Sequence, residues 1–139
     1  MPARTALNPN ASVGVSLVNG DSATRHARQI MLRSLGYNVR SYATCVALLT
    51  DPRPRDQQCI IIDIDTPKVD GIDLLRAMRA GGWRGKGILL ARIPPESEVL
   101  REAERHGDKV LDHAIGDGRL MAAIATSIGS GLEEWSAGV

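Results

Sequence analysis

From Cys59 to Ile62, within the segment QCIIIDI (58–64), the chain is apolar at every position. A half-exposed strand alternates polar with apolar residues, and a surface helix repeats every third or fourth. A short run with neither pattern needs cover on both faces, which is the situation of a central strand in a parallel sheet. The rest of the chain must then supply neighbouring strands and two layers of helices. The run stops at Asp63 and Asp65, so carboxylates stand where ligands bind in open parallel sheets, at the carboxyl ends of the strands.

The remaining segments supply those layers. VGVSLV (13–18) reads as a strand broken by NGD, and SATRHARQIMLRSLG (22–36) as a helix capped by Ser22 and stopped by Gly36. Its apolar residues Ala23, Ala27, Ile30, Met31 and Leu35 recur at helical spacing, which predicts the face packed on the sheet. YNVRSY (37–42) alternates as a strand, and ATCVALLTD (43–51) is a short helix stopped by PRPRDQ. After the central strand come a helix GIDLLRAMRAGG (71–82), a strand KGILLARI (86–93) and a helix PPESEVLREAERHG (94–107) opened by prolines. A strand KVLDHAI (109–115) and a helix DGRLMAAIATSIG (117–129) complete the pattern. The expectation is an α/β, doubly wound, five-stranded parallel sheet.

Residues 1–12 read as a flexible leader, 13–129 as the folded domain and 130–139 as a flexible tail in which Leu132 and Trp135 could pack on a neighbour. Leu120, Met121, Ile124 and Ile128 form a helical stripe, read first as core and second as part of an interface. Trp83 is expected to cover the lower end of the sheet.

The 139 residues suit one domain. A net charge of +1, with its cations dispersed, argues against a nucleic-acid partner, and aromatic residues at 3% against a base-stacking surface. No apolar segment is long enough to cross a membrane and the start lacks a signal-peptide layout, so the expected location is cytoplasmic. Cys45 and Cys59 fit neither a CxxC nor a metal spacing and read as buried, reduced thiols.

The order of elements, with the spacing D-x-x-x-P-x-x-D-G met by Asp63, Pro67, Asp70 and Gly71, resembles the CheY-like receiver domains of two-component response regulators, most closely their FixJ-like branch. The resemblance covers about 13–129 and implies the flavodoxin-like strand order 2-1-3-4-5, with Asp63 at the phosphoacceptor position. Phosphoryl transfer to a carboxylate needs positive charge, usually a magnesium ion held by hard oxygen ligands. The family's acidic pair after strand one falls here on Asn19 and Gly20, with Asp21 one residue later. Its hydroxyl residue ending strand four falls on Ala91, followed by Arg92. Its switch aromatic, lysine and proline near strand five fall on Val110, His113 and Ala114. Without proline a cis bond there would cost about 3 kcal/mol, so a trans loop of different shape is expected.

The resemblance therefore implies a degenerate site: the acceptor position is kept and its supports are changed. Asp21 reads as a helix-start residue or a compensating metal ligand, and Asp65 as a solvated carboxylate or a replacement one. Arg92 is either a cation occupying the site or an arm in solvent. His113 is either an ordinary half-buried histidine or a weak stand-in for lysine. No metal site is expected with conviction, and any magnesium binding should be weak.

The function implied is an atypical, stand-alone receiver that is not an enzyme. It would act by binding a sensor histidine kinase, another signalling protein or a second copy of itself. A conventional phosphoreceiver using Asp63 is the alternative. The pair Asp63 and Asp65 also resembles the haloacid-dehalogenase phosphohydrolases, but their motif lies on the first strand and needs a later lysine and acidic motif, which this chain lacks.

Overall fold

The computed structural model describes residues 13–52, 56–63, 71–91 and 97–137, with side chains described through residue 129. The leader 1–12, residues 53–55, Asp65, Pro67, Asp70, Arg92, the prolines 94 and 95, and the side chains of Leu132 and Trp135 lie outside the described residues. Five strands alternate with five helices: β1 (Gly14–Val18), α1 (Ser22–Ser34), β2 (Asn38–Tyr42), α2 (Cys45–Leu49), β3 (Gln57–Asp63), α3 (Gly71–Ala80), β4 (Lys86–Ala91), α4 (Ser97–His106), β5 (Lys109–Asp112) and α5 (Asp117–Ala137). All neighbours pair in parallel, in the order β2-β1-β3-β4-β5.

The central strand is β3, and its residues feed two separate cores. Cys59 and Ile61 point into a cluster with Val15, Leu17, Ile88 and Leu90, closed by Leu32 of α1 and Leu120, Ile124 and Ile128 of α5. Ile60 and Ile62 point the other way, with Val18 and Leu89, into a cluster closed by Leu48 of α2 and Leu74, Leu75 and Met78 of α3. That division is why the run cannot alternate: side chains on a strand point to opposite faces, and here both faces are core. The stripe Leu120, Ile124, Ile128 is core, as its spacing predicts.

Helix α1 departs from its predicted face. Its fully buried residue is Leu32, whereas Ile30 is 56% and Leu35 37% exposed. The stripe one and two turns before Leu32 is Arg25, Arg28 and Gln29, each half-buried, so the helix presents polar side chains to the upper end of the sheet. The predicted cap also moves by one residue. Asp21, not Ser22, caps α1, its Oδ2 accepting the Thr24 N–H at 3.0 Å. Gly36 ends the helix as expected, with φ +91°. At the other end of the chain, α5 runs to Ala137, past the Gly129 at which the sequence predicts its stop. Gly129 keeps helical geometry instead of the left-handed conformation that ends α1.

The lower end of the sheet is tied by a buried polar clamp. Asp108 accepts two bonds from Arg79, Nη1 at 2.8 Å and Nη2 at 2.7 Å, and a third from the Gly87 N–H at 2.7 Å. These bonds join the end of α3 to the starts of β4 and β5. Trp83 lies under the sheet as expected, 3% exposed, with its Nε1 donating to the Gln57 carbonyl at 2.6 Å and the Arg79 guanidinium 5.2 Å from its ring. Both cysteines are free thiols; Cys59 is buried, while Cys45 is only half-buried, short of the burial its apolar setting predicts.

Two stability outcomes follow from this packing. Asp108→Ala removes a bidentate partner from Arg79 and leaves the Gly87 N–H buried without an acceptor, so urea unfolding should show a loss of about 3 kcal/mol; a loss under about 1 kcal/mol would mean that Arg79 finds solvent and the clamp is dispensable. Burial pushes the Cys59 thiol from 9.0 up to about 12. The unfolded chain releases that proton first, so stability should be full below pH 9.0 and decline as pH rises towards 12. Iodoacetamide at mildly alkaline pH should modify Cys45 in the folded protein and reach Cys59 only on unfolding; equal labelling of the two would contradict the burial.

Candidate functional site

The site is built at the carboxyl ends of β1, β3, β4 and β5. Register sets it: Val18 pairs with Ile62, Asp63 with Leu90, and Ala91 with Asp112, so Asn19, Asp63, Ala91 and His113 come together along one edge. Strand parity sets the face. Asp63 follows Cys59 and Ile61 on the side covered by α1 and α5.

Asp63 is a buried carboxylate, 4% exposed. Such a charge is costly unless a countercharge and hydrogen bonds meet it. His113 meets it: Nε2 lies 3.0 Å from Oδ2 of Asp63. Two backbone features hold the histidine there. Its own N–H donates to the Ala91 carbonyl at 2.7 Å, carrying the β4–β5 pairing one step past the strand. Asp112 Oδ1 then accepts the Ala114 N–H at 2.8 Å, which turns the chain. The described residues contain no cis peptide bond. The contact is compatible with either reading of His113, a half-buried histidine paired with a carboxylate or a stand-in for lysine.

A guanidinium comes from α1. Arg28 is half-buried, and burial pulls its guanidinium below its ordinary value while the charges of Asp63 and Asp117 oppose that pull. A guanidinium stays protonated through such a shift, so Asp63 sits in the field of a permanent positive charge. The sequence reading missed Arg28. The signal was there in the spacing of Arg25 and Arg28 with Leu32, which puts both arginines on the inward stripe; attention to apolar residues alone passes over it.

Asn19 and its neighbours serve the start of α1. Asn19 is 3% exposed; its N–H donates to the Tyr42 carbonyl at 3.1 Å, its own carbonyl accepts Arg25 Nη1 at 2.7 Å, and its Oδ1 accepts the Asp21 N–H at 2.8 Å. Gly20 is exposed and brings no side chain. Asp21 is the cap of α1 and also accepts a bond from the Thr24 hydroxyl, the helix-start reading. Magnesium requires several hard oxygens converging on one point. Among the described residues no three histidine, cysteine or acidic side chains are grouped to hold a metal ion, and the oxygens of Asn19 and Asp21 are turned to the start of α1. This set does not fit a magnesium ion.

Ala91 is buried and has no hydroxyl to offer. Val110 packs half-buried against the α2/α3 core with a short, branched side chain. Asp65 and Arg92 lie outside the described residues. The arrangement therefore sets an imidazole and a guanidinium around a buried carboxyl group, and its described part lacks a metal cradle.

No family model matches the chain. It is 24% identical over 123 residues to the transcriptional regulatory protein FixJ of Azorhizobium caulinodans, a match covering 88% of this chain and 58% of FixJ. The chain thus spans little more than half the length of that relative. The signal receiver domain of an HD domain-containing protein from Pseudomonas fluorescens Pf-5 superposes with a TM-score of 0.77 at 17% identity, covering 91% of this chain and 93% of that one. The receiver domain of a LuxO repressor protein from Vibrio parahaemolyticus gives 0.75 at 18%, covering 90% and 96%. No described helix is long and apolar enough to cross a membrane. Sequence similarity to FixJ along most of the chain, with the strand order and superposition shared with those receivers, gives the chain the fold of the CheY-like receiver domains.

Proposed function

We propose that this receiver is atypical: it signals by protein–protein binding, and magnesium-dependent phosphorylation of Asp63 is impaired. The observation that carries the reading is the 3.0 Å contact between His113 Nε2 and Asp63 Oδ2. A carboxylate already met by an imidazole, in the field of Arg28, has less need of an external cation and less freedom to attack phosphorus. Asn19 and Gly20 supply no carboxylate to gather magnesium, and Ala91 no hydroxyl to follow a phosphoryl group. Receiver domains engage histidine kinases and effector domains; here the partner is a kinase or another signalling protein, or a second copy of the chain, recognised through helix and loop surfaces. In this reading the chain carries out no turnover of its own. The phosphohydrolase reading is disfavoured because Asp63 ends the third strand, not the first.

The same contact favours one other reading. His113 stands where the family's lysine stands, so a protonated imidazole could serve a conventional phosphoreceiver. Intact mass after incubation with magnesium and acetyl phosphate separates the two. No adduct on the wild type is expected. An adduct on the wild type that is absent from Asp63→Asn would overturn the impaired reading and favour the conventional one.

Rebuilding the supports tests the same logic in reverse. The combined variant Asn19→Asp, Gly20→Asp, Ala91→Thr and His113→Lys is expected to gain a magnesium-dependent adduct on Asp63. A folded variant that stays unmodified would show that something other than these four positions blocks the chemistry.

A further inference from the structure

The end of the sheet opposite Asp63 carries a second polar site. Where β4 begins, the α3–β4 and α4–β5 connections enclose an open cleft of about 530 Å³. Its wall is cationic. Arg79, Arg84, Lys86 and Arg105 line it with His106, against the single lining carboxylate of Glu104. Asp108, behind the wall, is bound by Arg79.

Lys86 makes this a built feature. It is the first residue of β4 and only 7% exposed, and its Nζ donates to the His106 carbonyl at 3.0 Å, at the carboxyl end of α4. Gly107, with φ +74°, turns the chain directly over the ammonium; a Cβ there would lie 2.9 Å from Nζ. The backbone is thus shaped around a buried positive charge at the cleft floor, while Arg84 and Arg105 stand exposed at its rim.

We infer that this cleft binds a compact phosphate oxyanion. Guanidinium forks take phosphate oxygens in pairs and an ammonium adds a point charge, which is the donor set present. The lining contains no Trp or Tyr and almost no apolar side chain, so a nucleoside attached to the phosphate gains little there. Arg79, Lys86 and the Asp108 clamp also fix α4 and β5, so an anion seated here would steady the same connections from outside. The site is independent of how Asp63 behaves.

Inorganic pyrophosphate is the probe, titrated at constant ionic strength and followed by backbone amide chemical shifts. Saturable shifts centred on residues 84–86 and 104–107 are expected, retained in Asp63→Asn and weakened about tenfold or more in Arg84→Glu with Arg105→Glu. Both arginines are exposed, so that double variant should fold; if it does not, Arg105→Gln is read in its place and should weaken binding measurably. ADP should bind no more tightly than pyrophosphate. Shifts reproduced by sodium chloride at matched ionic strength, affinity unchanged by the arginine substitutions, or clearly tighter binding of ADP would each overturn the assignment.

Discussion

A carboxylate buried at the end of a strand that is itself covered on both faces is the constraint on which the upper half of this molecule turns. Burial of an ionised group costs several kcal/mol after relaxation unless opposite charge and hydrogen bonds replace the lost water. His113 supplies the contact and Arg28 the field, and each comes from an element that must be in place first. The β4–β5 register brings His113 to the edge through the Ala91 carbonyl, and the packing of Leu32 turns Arg28 inward. The site is thus a consequence of assembling both flanking elements around β3.

The two ends of the sheet answer the same electrostatic problem in related ways. Below, Asp108 is met by a bidentate arginine and a backbone N–H, in a geometry that also locks α3 to β4 and β5. Above, Asp63 is met by an imidazole whose charge depends on protonation, and by an arginine at longer range. The lower clamp is a permanent ion pair with structural work to do.

Much of this was readable from the residues. The four-residue apolar run required a central strand, and glycines after α1, α3 and α4 marked true stops. Reading failed where a side chain's fate depends on a neighbour distant in sequence. Ile30 and Leu35 fit a helical stripe as well as Leu32 does, and only docking onto β2 and β1 selected Leu32 and brought Arg28 into the field of Asp63. Asp21 and Ser22 are both good caps; the Asn19 side chain, by accepting the Asp21 N–H, favoured the former.

The sequence by itself determined the fold class, the strand order implied by its resemblance, and the placing of Asp63 at the end of the central strand, because periodicity and turn residues act over a few positions at a time. Tertiary structure alone decided what surrounds that aspartate. His113 lies fifty positions from Asp63 and Arg28 thirty-five, and no local pattern can report a distance across a sheet. Their convergence depends on parallel register and helix rotation, which the two cores on either side of β3 set together.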